Sequence, residues 1–455
     1  MYRCNAWLMA AFVALGVAGV VRAASAETIT QALASAYSSN PEINSARAQT
    51  RSEDENVPIA RSANRPTISG FSTATGQHTD TPGLSGDFLI GSGTLGIEVT
   101  QNVFRGFRTR NAIREAEAGV LASREILRNT VQNVLFDAAQ AYMDVVRDAA
   151  TLDIRRANVT FLVEQVRAAQ ERFNVGENTR TDVAQTRARL ASARAAVSLA
   201  EANLATSRAI YRRVVGHEPS RLSGGFPFAR LVPGSLPQAV SIGQNGHPIV
   251  LAAIHEADAQ AFDVKQIEGE LLPTVSISGR IEHDESFDAD IDPNTATVSG
   301  RISVPLYQGG VVSARVRQAK ELYGLRKIEI DLTRDQVRAA VVTAWAQVEA
   351  ARGAIAAALE GVEAAQIALT GVQEEQRVGQ RTTLDVLDQQ QELLNAQVTL
   401  IVAQRDQVVA AFALLSAMGR LNADHLRLPT KAYDPVEHYT AVEGKWYGVR
   451  TPDGR

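Results

Sequence analysis

Along 93–104 the apolar residues Leu95, Ile97, Val99 and Val103 alternate with Glu98, Thr100 and Asn102. A period of two gives a β-strand one apolar and one polar face. The same alternation runs through 273–284, where Val275, Ile277 and Ile281 oppose Ser276, Ser278, Arg280 and Glu282. It runs again through 296–306, where Val298, Ile302, Val304 and Leu306 oppose Ser299, Arg301 and Ser303. A fourth stretch, 66–76, reads more weakly because Ile68 and Phe71 fall out of phase. Each run has about ten residues, the length a tilted strand needs to cross a membrane.

Elsewhere the period is helical. The run 107–174 has no proline and predicts a helix of roughly 100 Å; 311–377 predicts its twin. In 181–215, Val183, Leu190, Val197, Leu204 and Tyr211 recur every seventh residue. In 384–418, Val386, Leu393, Leu400 and Leu414 do the same, with Gln407 interrupting. A second strip lies beside them: Leu387, Leu394, Ile401, Val408 and Leu415. A sustained seven-residue period is a coiled-coil seam. Two adjacent strips imply neighbours on two sides, as in the wall of a cylinder. Small residues (Ala191, Ala193, Ala195, Ala396, Ala403) let backbones approach closely.

The chain repeats itself. Asn40-Pro41 is echoed by His247-Pro248, and Arg65-Pro66-Thr67-Ile68-Ser69 by Leu272-Pro273-Thr274-Val275-Ser276, at an offset of 207. Phe104-Arg105-Gly106 matches Tyr307-Gln308-Gly309, Tyr142 matches Trp345, Val175-Gly176 matches Val378-Gly379 and Gly216 matches Gly419, at an offset of 203. One loop between matched elements is therefore four residues shorter in the second copy. The expected organisation is a repeat over 27–218, a Pro/Gly-rich linker 219–237, a second repeat 238–420 and a tail 421–455. In each repeat a helical stretch (28–60 or 238–271) leads into two strands, a long helix, a turn reading VGxxTxxDV and a second helix.

Four strands cannot close a barrel in lipid, and an open sheet edge is not viable there. If the strands cross a bilayer, several copies of the chain must pool them. The alternative is a soluble periplasmic coiled-coil adaptor or scaffold without a pore.

At the N-terminus, Arg3, the apolar run Trp7 to Val21 and Ala24-Ser25-Ala26 predict a signal peptide over 1–26. The chain's one cysteine, Cys4, precedes the apolar run, so no lipid anchor or disulfide framework is expected. Beyond the leader no stretch reads as a membrane helix. The net charge of −4 gives no electrostatic footprint for nucleic acid. The seven histidines show no metal-ligand spacing, and no catalytic triad or dyad signature is present. Asp288-x-Asp290-x-Asp292 begins like a calcium loop, but Pro293 follows and the distal glutamate is missing. No enzyme, metal or cofactor is expected.

The junctions FRGF and YQGG, the turn NVGENTRTDV, and VGQRTTLDVLD with its Leu/Ala heptads resemble the TolC-type outer-membrane channels of type I secretion and multidrug efflux. The resemblance covers nearly all of the chain after the leader. It implies a membrane α+β fold in which three chains share a 12-stranded β-barrel, four strands each. A long α-helical barrel continues it through the periplasm of a Gram-negative bacterium, with the tail outside. It implies as partners a periplasmic adaptor and an inner-membrane transporter of ABC or RND type. It also locates a gate at the turns. Arg381 would be held by Thr181 and Asp182, and Asp385 and Asp388 would form two acidic rings in the pore. Where the family often has a restraining tyrosine, this chain has Gln376. Asp182 and Asp385 also suit the first turn of a helix, where the dipole favours a carboxylate. Gly106, Gly309 and Gly310 mark the strand-to-helix junctions, where glycine relaxes the backbone.

Overall fold

The computed structural model describes residues 26–79, 88–177, 179–225, 231–286 and 293–454. The expected leader through residue 25 and the acidic run Asp288–Asp292 lie outside them. The elements come in two matching series. The first is α1 (Ile29–Ser39), α2 (Pro41–Asp54), α3 (Asn56–Ser62), β1 (Thr67–Thr79), β2 (Phe88–Arg105), α4 (Arg108–Asn174) and α5 (Arg180–Val215). The second is α6 (Leu236–Gly246), α7 (Pro248–Glu268), β3 (Thr274–Ser286), β4 (Asn294–Ser303), α8 (Val311–Arg377) and α9 (Thr383–Ala417). A short helix α10 (Pro435–Val442) lies in the tail.

The Asn40-Pro41 and His247-Pro248 echo has a local cause. Asn40 Oδ1 accepts from the Glu42 amide at 2.8 Å and His247 Nδ1 from the Ile249 amide at 3.2 Å. Both are helix N-caps followed by proline at the first helical position, where the missing N–H costs nothing.

The strands form one antiparallel sheet in the order β1-β2-β3-β4. Thr67 pairs with Thr100, and their counterparts Thr274 and Ser303 pair with each other. The two hairpins thus share one register. The join between repeats is β2 to β3, with Ile97 opposite Ile281 and Val99 opposite Gly279. One face carries Ile68, Leu95, Ile97, Ile281, Val298 and Ile302, all exposed. The out-of-phase Phe71 lies on the other face: a Cβ on Gly96 would meet its ring at 2.5 Å, and the Arg280 guanidinium stacks 4.1 Å from its centroid.

Strand limits differ from expectation by one to five residues: β1 ends at Thr79 rather than 76 and β3 at Ser286 rather than 284. β2 begins at Phe88 rather than 93, and β4 ends at Ser303 rather than 306. Pro305 has no N–H to offer a ladder, and β4 is an edge strand with one neighbour. The repeat-1 counterpart of Pro305 is Asn102, which β3 still pairs before a bulge at Val103.

The main core forms a girdle around the middle of the long helices. Leu33, Tyr37, Leu135, Tyr142, Tyr211, Phe412 and Leu415 are buried there, with Leu421 and Leu428 of the tail. The Tyr142 hydroxyl lies 2.7 Å from the carbonyls of Glu27 and Ser223 and accepts from the Ser223 amide at 2.9 Å. Its counterpart Trp345 is only partly buried. The tail is fastened to the girdle. The Tyr433 amide donates to the Tyr37 hydroxyl at 3.0 Å, and His438 Nδ1 sits 2.9 Å from the buried Asp54 carboxylate.

α8 and α9 each contain an 18-residue window of mean hydropathy 1.3 and 1.5, apolar enough by composition to cross a membrane. That differs from the sequence expectation, which found no membrane-helix stretch beyond the leader. In α8 the apolarity is largely alanine, as in Ala354-Ile355-Ala356-Ala357-Ala358, and in α9 it comes from the Leu, Val and Ala of the heptad strips.

Candidate functional site

The repeated VGxxTxxDV motif builds both helix-to-helix turns, and its chemistry explains why it is written twice. α4 ends at Asn174, and two residues on Gly176 takes a left-handed φ of +86° that a side chain strains to adopt. The Gly176 amide donates to the Phe173 carbonyl at 3.0 Å and the Glu177 amide to Arg172 at 2.8 Å. Gly379, at φ +79°, repeats this with Gln376 at 3.0 Å and, through the Gln380 amide, Glu375 at 2.9 Å. This two-bond closure satisfies carbonyls that a helix end leaves open.

The next helix starts three residues later. Asp182 Oδ2 accepts from the Thr179 amide at 2.9 Å and its hydroxyl at 2.8 Å, while the Thr179 hydroxyl accepts from the Asp182 amide at 3.2 Å. Asp385 and Thr382 do the same at 2.8, 2.8 and 3.3 Å. These are capping boxes. Asp182 and Asp385 are therefore capping residues whatever else they do. Both sets of bonds fall on Oδ2, leaving the other oxygen to accept a further donor.

Arg381 is bonded inside its own turn. Its Nε donates to Glu375 Oε2 at 2.8 Å, and that carboxylate raises the guanidinium's already high pKa. Within one chain Thr181 is an exposed residue of the first turn of α5, and Arg381 pairs with Glu375 rather than with Thr181 or Asp182. Gln376 Nε2 donates to the Thr383 hydroxyl at 3.1 Å, tying the end of α8 to the start of α9. The Thr382 amide, then its hydroxyl, and the nearby Arg381 hold the Asp385 carboxyl below the usual carboxylate value.

One turn further in, Asp388 Oδ1 accepts from Arg189 Nη2 at 2.6 Å, joining α9 to α5. Sequence reasoning missed this pair, and it missed Glu375. Arg189 is one arginine among several in a charged helix, and nothing in its spacing singles it out. Glu375 lies six residues before Arg381, reachable only because the chain reverses at Gly379.

At the other end of the long helices, Gly106, Gly309 and Gly310 all have positive φ, as does Phe107 at +60°. Phe107 is the repeat-1 counterpart of Gly310, and its ring packs edge-on against Phe104 at 5.1 Å. Gly106 has a second reason to be glycine. A Cβ there would lie 2.3 Å from the Gly269 carbonyl oxygen, and one on Gly269 would lie 2.4 Å from the Gly106 carbonyl oxygen. The two repeats cross at this pair. Gly309 and Gly310 meet no described atom within 4 Å. Among the described residues no group of His, Cys, Asp and Glu could hold a metal.

The model of the outer membrane efflux protein family matches residues 32–217 and 242–420, one block in each repeat. The chain is 45% identical to the outer membrane efflux protein BepC of Brucella suis, over 99% of this chain and 98% of that one. It is 24% identical to the outer membrane protein TolC of Escherichia coli, over 92% of this chain and 87% of the relative. The fold superposes on the outer membrane channel CmeC of Campylobacter jejuni with a TM-score of 0.79 at 16% identity, covering 91% and 89% of the two chains. The chain thus belongs to the outer membrane efflux protein family, as a TolC-type protein of the Gram-negative outer membrane.

Proposed function

We propose that this chain is a passive exit duct for efflux or type I secretion, built from three copies and gated at its two periplasmic turns. The observation that carries the reading is the sheet, whose apolar face is exposed and whose two edge strands, β1 and β4, are open. By the internal repeat, the β2–β3 join is a template for a β4–β1 join between neighbours. Three copies of four strands then close a 12-stranded wall, which removes every edge. The same logic completes the helical part. α4 packs against α2 of its own repeat and α7 and α9 of the other. Among the described residues the main neighbours of α8 are α6, α7 and α9, and a neighbour's α2 and α5 supply the contacts that α4 finds within the chain.

At the tip, Arg381 exchanges Glu375 for Thr181 and the unused oxygen of Asp182 when the turns draw together, which closes the entrance. Such charge-assisted bonds are strong enough to hold it and directional enough to be released by a docking partner. Gln376 restrains only its own turn. Asp385, held ionised by its cap, forms the principal cation-attracting ring. Asp388 adds to it only when Arg189 lets go. An inner-membrane transporter, of ABC or RND type, with a periplasmic adaptor selects the cargo and opens the tip.

Planar-bilayer recording tests this. The wild type is expected to give a small cation-selective conductance that rises severalfold in Arg381→Ala. Arg189→Ala raises cation selectivity instead, because it frees Asp388. Well-folded oligomer without conductance would favour the pore-free scaffold.

A further inference from the structure

The tail ends in a loop that a soluble surface does not explain. After α10, the Lys445 amide donates to the Val442 carbonyl at 3.0 Å, and the Lys445 ammonium donates across the loop to the Arg450 carbonyl. Gly448, at φ +107°, makes the reversal. The closed loop holds out three apolar side chains: Trp446 at 66% exposure, Tyr447 at 91% and Val449 at 100%.

Its height on the molecule is fixed by two arginines. Arg61 Nη1 donates to the Glu443 carbonyl at 3.0 Å and its Nη2 to the Glu443 carboxylate at 3.2 Å. Arg65 Nη1 donates to the Lys445 carbonyl at 2.6 Å, and its guanidinium stacks 4.9 Å from the Trp446 ring. Arg65 is two residues before Thr67, where β1 and the membrane-crossing sheet begin. The loop therefore sits where strands give way to helices. That level also carries the exposed aromatics Phe107 and Tyr307.

We infer that the loop 445–450 is a second membrane contact, inserting Trp446, Tyr447 and Val449 into the periplasmic leaflet of the outer membrane. Tryptophan and tyrosine favour the headgroup level, where an apolar ring meets lipid and a polar edge meets water. Lys445, Arg450 and Arg65 supply positive charge for anionic phospholipid headgroups. Glu443 is already paired with Arg61, and Asp453 accepts from the Thr451 hydroxyl. The apolar sheet face beside the loop makes lipid the continuous neighbour. The tail then does what a lipidated N-terminus could do, fixing the height of the duct with a few interfacial side chains.

The test uses the full chain in vesicles of phosphatidylethanolamine and phosphatidylglycerol. Cys4 is the chain's one cysteine, so Cys4→Ser clears the background for single labelling sites. Nitroxide is placed on Val449→Cys, on Val298→Cys of the exposed sheet face, and on Glu177→Cys at the aqueous tip. Accessibility to oxygen against a soluble nickel chelate is then read. The label at 449 is expected to resemble that at 298, with an oxygen preference at least about threefold above that at 177, a contrast set by the lipid interface. Trp446→Ala with Tyr447→Ala should return the 449 label to nickel while leaving the 298 label unchanged. Nickel access at 449 in the unaltered loop, with 298 still shielded, would overturn the inference and leave the barrel reading intact. So would spin–spin broadening, which would mean a second copy, or shielding only in the presence of another protein. Nickel access at 298 as well would count against the barrel, on which this inference rests.

Discussion

α4 and α8 are the same helix written twice, each 67 residues long, and they differ in how much of them is covered. Among their described residues 22 are buried in α4 and 9 in α8. The difference is not one of hydrophobicity. α8 exposes Leu322, Leu325, Ile328 and Leu332, a spacing that holds one face of a helix. At the counterparts of Ile328 and Leu332, α4 has Glu125 and Asn129. The less covered helix is thus the more apolar one on this face. α4 exposes Leu121 and Ile126 elsewhere, but on this face only α8 spends Ile and Leu on water, as a helix suited to a neighbour outside the chain would.

The largest effect should come from erasing that contrast. Ile328→Glu with Leu332→Asn gives α8 the residues of α4. Each buried aliphatic side chain removed from the seam forfeits about 1.5–3 kcal/mol, and the new carboxylate is desolvated without a partner. Native mass spectrometry is expected to show monomer where the wild type gives a closed oligomer. An unchanged oligomer would mean that this face meets only water.

A smaller effect separates two matching positions of the girdle. Tyr142→Phe strands the Ser223 carbonyl, while the Ser223 amide keeps the Glu27 carbonyl at 3.0 Å; the loss is about 1–3 kcal/mol. Trp345→Phe, at the matching but partly buried position, should stay within about 1 kcal/mol. Thermal unfolding in detergent compares them, and equal losses would contradict the asymmetry.

The smallest contrast concerns the two caps. His247 accepts through Nδ1 and so must be neutral, and burial lowers its pKa below the usual 6.5. Its neutral form is favoured in the folded state, so this stability is present above pH 6.5 and lost as pH falls from there through the lowered folded value. The cap contributes about 1 kcal/mol. Denaturation midpoints measured across this window should fall more in the wild type than in His247→Asn, which copies Asn40 and, among the described residues, leaves only the burial-lowered His425 to titrate with the same sign. A parallel decline in both proteins would assign the acid sensitivity elsewhere.

Much of the site was legible because its chemistry is local. Val-Gly followed by Thr-x-x-Asp encodes a left-handed stop and a capping box within nine residues, and period two or seven exposes a face directly. What stayed hidden depends on residues far apart in sequence meeting in space. Arg189 with Asp388, Gly106 against Gly269, and Glu27 under the Tyr142 hydroxyl are of this kind. The proposed gate sets Arg381 against Thr181 and Asp182, whereas within one chain Arg381 bonds Glu375 of its own turn. β4 stopped short of its alternation for a similar reason: Val304 and Leu306 carry the pattern, but an edge strand with Pro305 has no ladder to extend. The open edges of the sheet are where the proposed assembly would join neighbouring copies.

The most direct measurement is a disulfide across that edge. The repeat carries the Val99–Gly279 pair of β2 and β3 onto Ile302 of β4 and Ser72 of β1 in a neighbouring copy. Directly opposed strand residues lie within reach of a disulfide. Ile302→Cys with Ser72→Cys in one chain, oxidised in the outer membrane and run without reductant, should give a covalent ladder that stops at three chains. Monomer alone, or a ladder climbing past three, would contradict a closed 12-stranded wall.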